Sequence, residues 1–322
     1  MNQKFEELRK YIATESQICY ARLASLEEGS ARGQRIVDVN NGSGLSFTVT
    51  PDRGMNLVEC HFNGIPIAYR TANHRNLAGN FFLRDWTGGL MTTCGLRNVG
   101  TPSGTQPLHG EISREAAEQL SIQNQGGNIK ISGVLYEGAL FDCNLVLERE
   151  IETAYGCNEI SITDTVTNRG ENPEFTEILY HCNLGYPFIS ECIKFAAADH
   201  NVTGRDDAAQ ADVANWDKYP APMANFAEYC YCHDIPAGAD GWAEIAVQNP
   251  ELGIALTFSY DTSTLPRLME WKKPSRNAYL LGMEPTNSTL AGCEADKANG
   301  YGKILQPGES ITYRMKIKFN II

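Results

Sequence analysis

Two of the six histidines in the chain stand in sequence contexts that suit proton transfer. His109 precedes Gly110 after a glycine-containing loop, and His181 lies in the polar and glycine-containing segment 180–187. Histidine exchanges protons near neutral pH, and segments at strand ends often carry functional side chains. Both residues are therefore candidate acid–base groups, and the alternative for each is a hydrogen-bonded structural histidine.

A carboxylate provides the third candidate. Glu284 follows the apolar residues Leu280 and Leu281 and precedes Pro285, which should end a strand. A carboxyl group at the mouth of an apolar strand is partly desolvated, and desolvation raises its pKa toward the range of a general base. The alternative is an exposed glutamate in a loop.

Arginines and tryptophans supply candidate binding groups. Arg53 and Arg97 lie in turn-forming segments, where a guanidinium can bind sugar hydroxyls or carboxylates with two donors. Trp86, Trp242 and Trp271 have side chains that can stack on the face of a sugar, although packing in the core is commoner for tryptophan. For the two arginines, the alternative is an ordinary surface position.

The elements that would position these groups are predicted to be strands. From residue 311 to residue 319 apolar and polar side chains alternate, which is typical of a half-buried antiparallel strand. Similar alternation occurs in 129–135, 145–151 and 160–166, with glycine- or asparagine-containing turns between the runs. The pattern predicts an all-β antiparallel sandwich.

The domain prediction is a single unit over residues 1–322, in which 1–30 form a helical segment and a linker. Phe5, Leu8 and Ile12 recur at helical spacing and predict a helix over 2–13. Residues 196–225 are rich in alanine and acidic residues, and they are interpreted as a long ordered loop.

Composition excludes several classes of function. The chain of 322 residues has a net charge of −12, which disfavours binding to nucleic acids. No apolar run has the length needed to span a bilayer, and the first residues lack the apolar stretch of a signal peptide, so a cytoplasmic protein is expected. The ten cysteines are expected to be reduced thiols.

Motifs for common cofactors are absent from the sequence. It contains no phosphate-binding loop, no dinucleotide-binding fingerprint, no nucleophile elbow and no zinc-protease motif. The histidines are scattered without the spacing of metal ligands. Neither a cofactor nor a metal is predicted.

Five segments together resemble the galactose mutarotase-like superfamily, which includes the aldose 1-epimerases. They occur in the order seen in a little-characterised branch of that superfamily. The segments are Pro51-Asp52-Arg53-Gly54, Thr93-Cys94-Gly95-Leu96, Leu108-His109-Gly110, Tyr180-His181-Cys182-Asn183-Leu184-Gly185 and Glu284-Pro285-Thr286-Asn287. The resemblance runs from about residue 50 to the C-terminal strand and implies a β-supersandwich with an open cleft on one sheet.

The resemblance also implies an acid–base mechanism without a cofactor. Exchange of the anomers of a sugar requires a base at the C1 hydroxyl and an acid at the ring oxygen. By resemblance Glu284 is the base, His181 is the acid and His109 orients the substrate. The resemblance further implies binding roles for Arg53, Arg97 and Asn183, the last of which should face the same side as His181.

One part of the family pattern cannot be located in the sequence. The better-known galactose mutarotases use an aspartate to bind a substrate hydroxyl, and Asp234 or the adjacent His233 occupies roughly the corresponding stretch. Lys272 also lies upstream of Glu284, where a cation would suit a carboxylate or sulfonate. The cations Arg53, Arg97 and Lys272 raise the hypothesis of an acidic or modified sugar.

Two alternative functions remain open at this level. One is a non-catalytic carbohydrate-binding or sensing protein, and the other is an epimerase that acts at a different sugar carbon. Both use the same fold and similar residues, and fold does not determine function. The expected ligand is in each case a small sugar, and a homodimer formed through a sheet edge is compatible with a sandwich.

Overall fold

The chain folds into two large antiparallel sheets. The structure is a computed structural model, and it describes residues 2–73 and 82–322. Its strands are β1 (Tyr20–Ser25), β2 (Arg35–Asn40), β3 (Leu45–Thr50), β4 (Asn56–Phe62), β5 (Ile65–Pro66), β6 (Met91–Leu96), β7 (Glu118–Gln125), β8 (Asn128–Gly138), β9 (Asn144–Ala154), β10 (Cys157–Asn168), β11 (Glu174–Gly185), β12 (Lys194–Ala197), β13 (Asn201–Gly204), β14 (Tyr229–Asp234), β15 (Trp242–Asn249), β16 (Ile254–Asp261), β17 (Arg267–Ser275), β18 (Ala278–Thr286), β19 (Lys303–Leu305) and β20 (Ser310–Ile321). The helices are α1 (Gln3–Glu6), α2 (Phe82–Asp85), α3 (Asp207–Ala211) and α4 (Cys293–Ala298).

The first sheet has the order β1-β2-β3-β4-β6-β11-β18-β17-β14-β13, with β5 paired to β4 and β19 paired to β11. The second sheet has the order β12-β15-β16-β20-β10-β9-β8-β7. This arrangement confirms the predicted all-β antiparallel sandwich.

Apolar side chains from both sheets form one core between the layers. Phe62 of the first sheet packs against Phe319 of the second, with ring centroids 5.6 Å apart. A buried ion pair within the second sheet also reaches the first, because Arg149 donates to Asp164 of the neighbouring strand through Nε at 2.8 Å and to the Thr93 hydroxyl of β6 at 2.7 Å. An ion pair buried in this way restricts how the sheets can shift against each other, because a displaced charge would lose its partners.

The predicted C-terminal strand is confirmed in full. In β20 the side chains of Tyr313, Met315, Ile317 and Phe319 are buried, while those of alternate residues are exposed or half-buried. The strand lies between β10 and β16, so its apolar face meets the core.

Two local predictions differ from the structure. The helix predicted over 2–13 is only one turn long, in α1, because Phe5 alone is fully buried there and a helix this short gains little stability by itself. The segment interpreted as a loop over 196–225 contains the end of β12, the strand β13 and the helix α3. Its elements were hidden in the sequence because they are short and have little periodicity.

We call residues 205–228 the excursion, because they leave the first sheet after β13 and return to it at β14. Trp216 anchors the excursion, with its ring 4.9 Å from that of His233 and 5.2 Å from that of Phe195. The excursion therefore covers the face of β14 and β17 that carries His233. The opposite face of the same strands, which carries Trp271, remains open as a cleft.

Candidate active site

His181 and Glu284 face each other across two paired strands. In the antiparallel register of β11 with β18, Cys182 pairs with Met283, so His181 and Glu284 are the next pair along. Both side chains therefore point to the same, cleft-lining face of the sheet. Gly282 lies two residues before Glu284, and a Cβ atom there would collide with Oε1 of Glu284 and come within 2.9 Å of the Cβ atom of Trp271. The absence of a side chain at Gly282 makes room for the Glu284 carboxyl group.

The two groups form a close pair with unused bonding capacity. Nδ1 of His181 lies 3.0 Å from Oε1 of Glu284. The pair lacks hydrogen-bond geometry, and neither atom has a hydrogen-bond partner within 2–73 and 82–322. Both side chains are nearly inaccessible to solvent, so forming a charge on either group is costly.

Burial shifts the pKa values of His181 and Glu284 in opposite directions. It lowers the pKa of His181 to about 3 and raises the pKa of Glu284 well above its ordinary value. In the state that burial favours, a neutral imidazole faces a protonated carboxyl group, and the pair holds a single transferable proton. Transfer of that proton from Glu284 to His181 converts an acid and a neutral imidazole into a carboxylate and an imidazolium. The pair can thus present a base and an acid at the same time.

His109 enters the cleft from a loop rather than from a strand. Its backbone has a φ of 60°, and its ring lies 5.7 Å from that of His181. The backbone N–H of Gly100 donates to Nδ1 of His109 at 3.2 Å, so a neutral ring carries its proton on Nε2. Burial lowers the pKa of His109 to about 4, which keeps the ring neutral and leaves Nε2 as a hydrogen-bond donor.

Aromatic side chains surround this group. The ring of Trp271 lies 5.3 Å from that of His181, the ring of Trp86 lies 5.2 Å from it, and Phe82 stacks against Trp86 with ring centroids 6.1 Å apart. Together with Leu108 and other residues they enclose a cavity of about 480 Å³, which we call the first lobe of the cleft. That volume lies in the range of pockets for small molecules, ~300–1,000 Å³.

Two charged residues of the first lobe were not identified from the sequence. Glu228 accepts a hydrogen bond from the indole of Trp271 at 2.9 Å, and Arg205 lies 3.2 Å from the same carboxylate. The charge of Glu228 raises the pKa of Glu284 further, and that of Arg205 opposes the increase. Glu228, Cys230 and Cys232 are two residues apart and so lie on one face of the chain at β14. Only the tertiary structure shows that this face lines the cleft.

Some residues predicted to bind substrate lie next to the first lobe or outside it. Asn183 is buried and donates to the carbonyl oxygens of Gly89 and His181, so its amide supports the strand that carries the histidine. Arg53 donates to the carbonyl oxygen of Asp85 at 2.8 Å and lines a separate small cavity. Arg97 pairs with acidic residues at 2.7 Å and 3.1 Å and is not among the cleft-lining residues.

The three predicted substrate-binding residues in the C-terminal half of the chain are divided between the two faces of the first sheet. His233 and Lys272 lie on the face covered by the excursion, where the ammonium group of Lys272 donates to the carbonyl oxygen of Asn215 at 2.6 Å. Asp234 lies on the open face, in a cavity that adjoins the first lobe. The binding roles of these residues stay predictions, and the geometry favours only Asp234 among them.

The part of the chain that the structure describes contains no group of three or more histidine, cysteine, aspartate or glutamate side chains arranged to hold a metal ion. Across 2–73 and 82–322, no helix is long and apolar enough to cross a membrane.

Comparison with known proteins identifies the fold and the family. A candidate aldose 1-epimerase from Klebsiella pneumoniae superposes with a TM-score of 0.85 at 23% identity, covering 93% of this chain and 83% of that one. A galactose mutarotase-like protein from Clostridium acetobutylicum gives 0.67 at 13% identity, covering 95% of this chain and 100% of the other. Galactose 1-epimerase from Lactobacillus acidophilus gives 0.67 at 11% identity, with 94% and 99% covered.

At these identities the likeness concerns the fold. No protein of curated function is detectably similar to this chain in sequence. Residues 31–319 match a family described as a domain of unknown function, DUF4432. The chain therefore belongs to the DUF4432 family, and its fold is that of the galactose mutarotase-like proteins.

Proposed function

We propose that this protein is a carbohydrate isomerase that interconverts the α and β anomers of a sugar without a cofactor. The observation that carries the proposal is the His181–Glu284 pair. It lies 3.0 Å apart, buried and without hydrogen-bond geometry, in a cleft lined by tryptophans. An acid and a base held in one apolar cleft are the groups that hemiacetal opening requires.

In the proposed reaction Glu284 acts as a carboxylate and removes the proton from the C1 hydroxyl of a cyclic sugar. The electron pair of that O–H bond forms the carbonyl group while the bond from C1 to the ring oxygen breaks. His181, as an imidazolium, gives its Nε2 proton to the departing ring oxygen. Rotation about C1–C2 and closure on the other face then proceed with the two roles reversed, so the enzyme returns to its starting protonation state.

The remaining first-lobe residues would bind and orient the ring. Nε2–H of His109 is a donor available to an oxygen near C1, because Nδ1 is occupied by the backbone of Gly100. Trp271 and Trp86 provide apolar faces for the C–H groups of the sugar. Glu228 and Arg205 can bind hydroxyl groups at the mouth of the lobe. A cytoplasmic location for this reaction is part of the proposal.

Exchange spectroscopy by NMR tests the proposal directly. The purified protein would be added to neutral aldoses, uronates, ketoses and sulfo-sugars, and the rate of α/β exchange would be measured for each. We expect faster exchange for one class of sugar and loss of the acceleration in the Glu284→Gln variant. Arg314→Gln, on the outer surface of the second sheet, is the matched control and should exchange at the wild-type rate.

Other outcomes would select the alternatives. Solvent deuterium appearing on a ring carbon would show epimerisation at that carbon and contradict anomer exchange as the main reaction. Line broadening on binding without faster exchange for any sugar would favour the non-catalytic binding protein.

A further inference from the structure

The cleft continues beyond the first lobe into a second cavity of about 460 Å³, which we call the second lobe. Thr101, Arg205 and Leu290 line both cavities, so the two lobes are contiguous. Each lobe alone has the volume of a small-molecule pocket. One sugar ring in the first lobe would leave the second lobe empty.

The second lobe contains two opposite charges that do not pair with each other. In the register of β14 with β17, His233 pairs with Leu268, so Asp234 and Arg267 are the next pair along. Both line the second lobe. Opposite charges in such cross-strand positions usually attract. Among the residues that the structure describes, however, neither side chain forms an ion pair within 4.0 Å.

The guanidinium of Arg267 is held by an aromatic ring instead. It lies over the ring of Tyr301, with 4.1 Å between the Cζ atom and the ring centroid. This contact fixes the side chain at the wall of the lobe while leaving its N–H groups available, since stacking occupies the face of the guanidinium and not its edge. Arg267 thus supplies donors, and Asp234 supplies acceptors, to the same space.

The second lobe is lined by both apolar and polar side chains. Met269 and Leu290 are buried, and the hydroxyl-bearing residues Thr203 and Thr289 lie among the other lining residues. A pyranose ring has the matching character, with C–H groups on its faces and hydroxyls around its edge. Adjacent hydroxyls are bound well by a carboxylate acceptor together with an arginine donor.

We propose that the second lobe is a subsite for a second sugar ring, so that the substrate is a disaccharide or a longer sugar. Its reducing-end ring lies in the first lobe beside His181 and Glu284, and this part of the proposal rests on the proposed function.

Binding of methyl glycosides tests the subsite independently of catalysis, since a methyl glycoside cannot open its ring. Calorimetry would compare the methyl β-glycosides of cellobiose, maltose and lactose with those of glucose and galactose. We expect at least one disaccharide to bind about 10-fold more tightly than its matching monosaccharide, because charged groups add hydrogen bonds to the second ring. Arg267→Gln should abolish this gain and leave monosaccharide binding unchanged, whereas the control Arg314→Gln should preserve it.

The proposal is overturned if every disaccharide binds no better than its monosaccharide, or if Arg267→Gln weakens both to the same extent. It is also overturned if the unmodified protein binds methyl glucuronide more tightly than every disaccharide and Arg267→Gln abolishes that binding, which would indicate an anion site. A disaccharide gain without any acceleration of anomer exchange would refute the proposed function and support the subsite. Equal acceleration for monosaccharides and disaccharides, with no gain in binding, would do the reverse.

Discussion

Two histidine–glutamate pairs lie on opposite faces of the first sheet. On the cleft face His181 of β11 meets Glu284 of β18, with 3.0 Å between Nδ1 and Oε1. On the covered face His233 of β14 meets Glu270 of β17, with 3.1 Å between Nε2 and Oε2. All four side chains are almost inaccessible to solvent, and burial raises the pKa of both carboxyl groups.

The pairs differ in how completely their hydrogen bonds are satisfied. Both ring nitrogens of His233 are bonded, because His200 approaches Nδ1 to 2.9 Å while Glu270 holds Nε2. In the cleft pair, Nδ1 of His181 and Oε1 of Glu284 lack hydrogen-bond partners among the residues described. In the covered pair Oε1 of Glu270 also lacks a partner, but the histidine and carboxylate are hydrogen-bonded to each other, which stabilises the fold. The cleft pair has no such mutual bond, and its free atoms retain capacity for a substrate. Residue type and burial are therefore insufficient to identify a reactive pair.

The largest expected effect is that of Glu284→Gln on the rate of anomer exchange. Loss of the proposed general base should lower the rate by ~10²- to 10⁴-fold. The melting temperature should stay equal or rise, because the variant removes a desolvated carboxyl group whose Oε1 forms no hydrogen bond. Exchange NMR and thermal denaturation measure the two quantities.

Glu270→Gln is the matched control for that prediction. It should leave the rate per folded molecule within about 3-fold and reduce the free energy of unfolding by ~1–3 kcal/mol, since it disturbs a buried hydrogen bond. Equal rate losses in the two variants would contradict the distinction between the pairs.

Substitution of the two histidines, His181 and His233, should likewise affect different properties, the first the rate and the second the stability. His181→Asn removes the proposed acid and should slow exchange by ~10²- to 10³-fold. His233→Asn should instead lower the free energy of unfolding by ~1–3 kcal/mol, because Glu270 and His200 would lose their shared partner. Exchange NMR measures the rate of each variant, and denaturant unfolding measures its stability. A His233 variant that is stable but slow in exchange would show that the covered pair takes part in catalysis.

The pH dependence should reveal the single proton of the cleft pair. His181 gains a second proton only near its pKa of about 3, far below the ordinary value of 6.5. Glu284 loses its proton only above a pKa that burial has raised. The enzyme-dependent rate should therefore show no loss as the pH falls from 7 to about 5, and it should fall on the alkaline side as Glu284 loses its proton. The measurement is kcat/KM after subtraction of the uncatalysed rate, and a loss of activity as the pH falls through 6.5 would refute the assignment.

The smallest effect is expected for Arg97→Gln. The family resemblance implies that Arg97 binds substrate, but its guanidinium pairs with Asp142 and Glu174 away from the cleft lining. These pairs are partly exposed, so their loss should cost ~0–1 kcal/mol of stability. We expect KM to change by less than about 2-fold in steady-state exchange assays. A 10-fold increase in KM would restore Arg97 as a ligand.

The architecture could be predicted from sequence because its signals are local. Alternation in 311–319 indicates a half-buried strand by itself, and the observed β20 has the expected buried side chains. The short elements of residues 196–225 escaped prediction, since β13 has four residues and α3 has five, too few for a periodic pattern to appear.

The sequence by itself determined the strands, the sandwich and three candidate acid–base residues. Only the tertiary structure decided which neighbours of those residues share their cleft. Trp271 and Lys272 are adjacent in sequence but lie on opposite faces, because successive side chains of a strand alternate. Arg205 and Glu228 are 23 positions apart and meet only because the excursion leaves and rejoins the sheet beside the same cleft. Which face is open is set by the residues that pack against the sheet from elsewhere in the chain, and local patterns carry no record of those contacts.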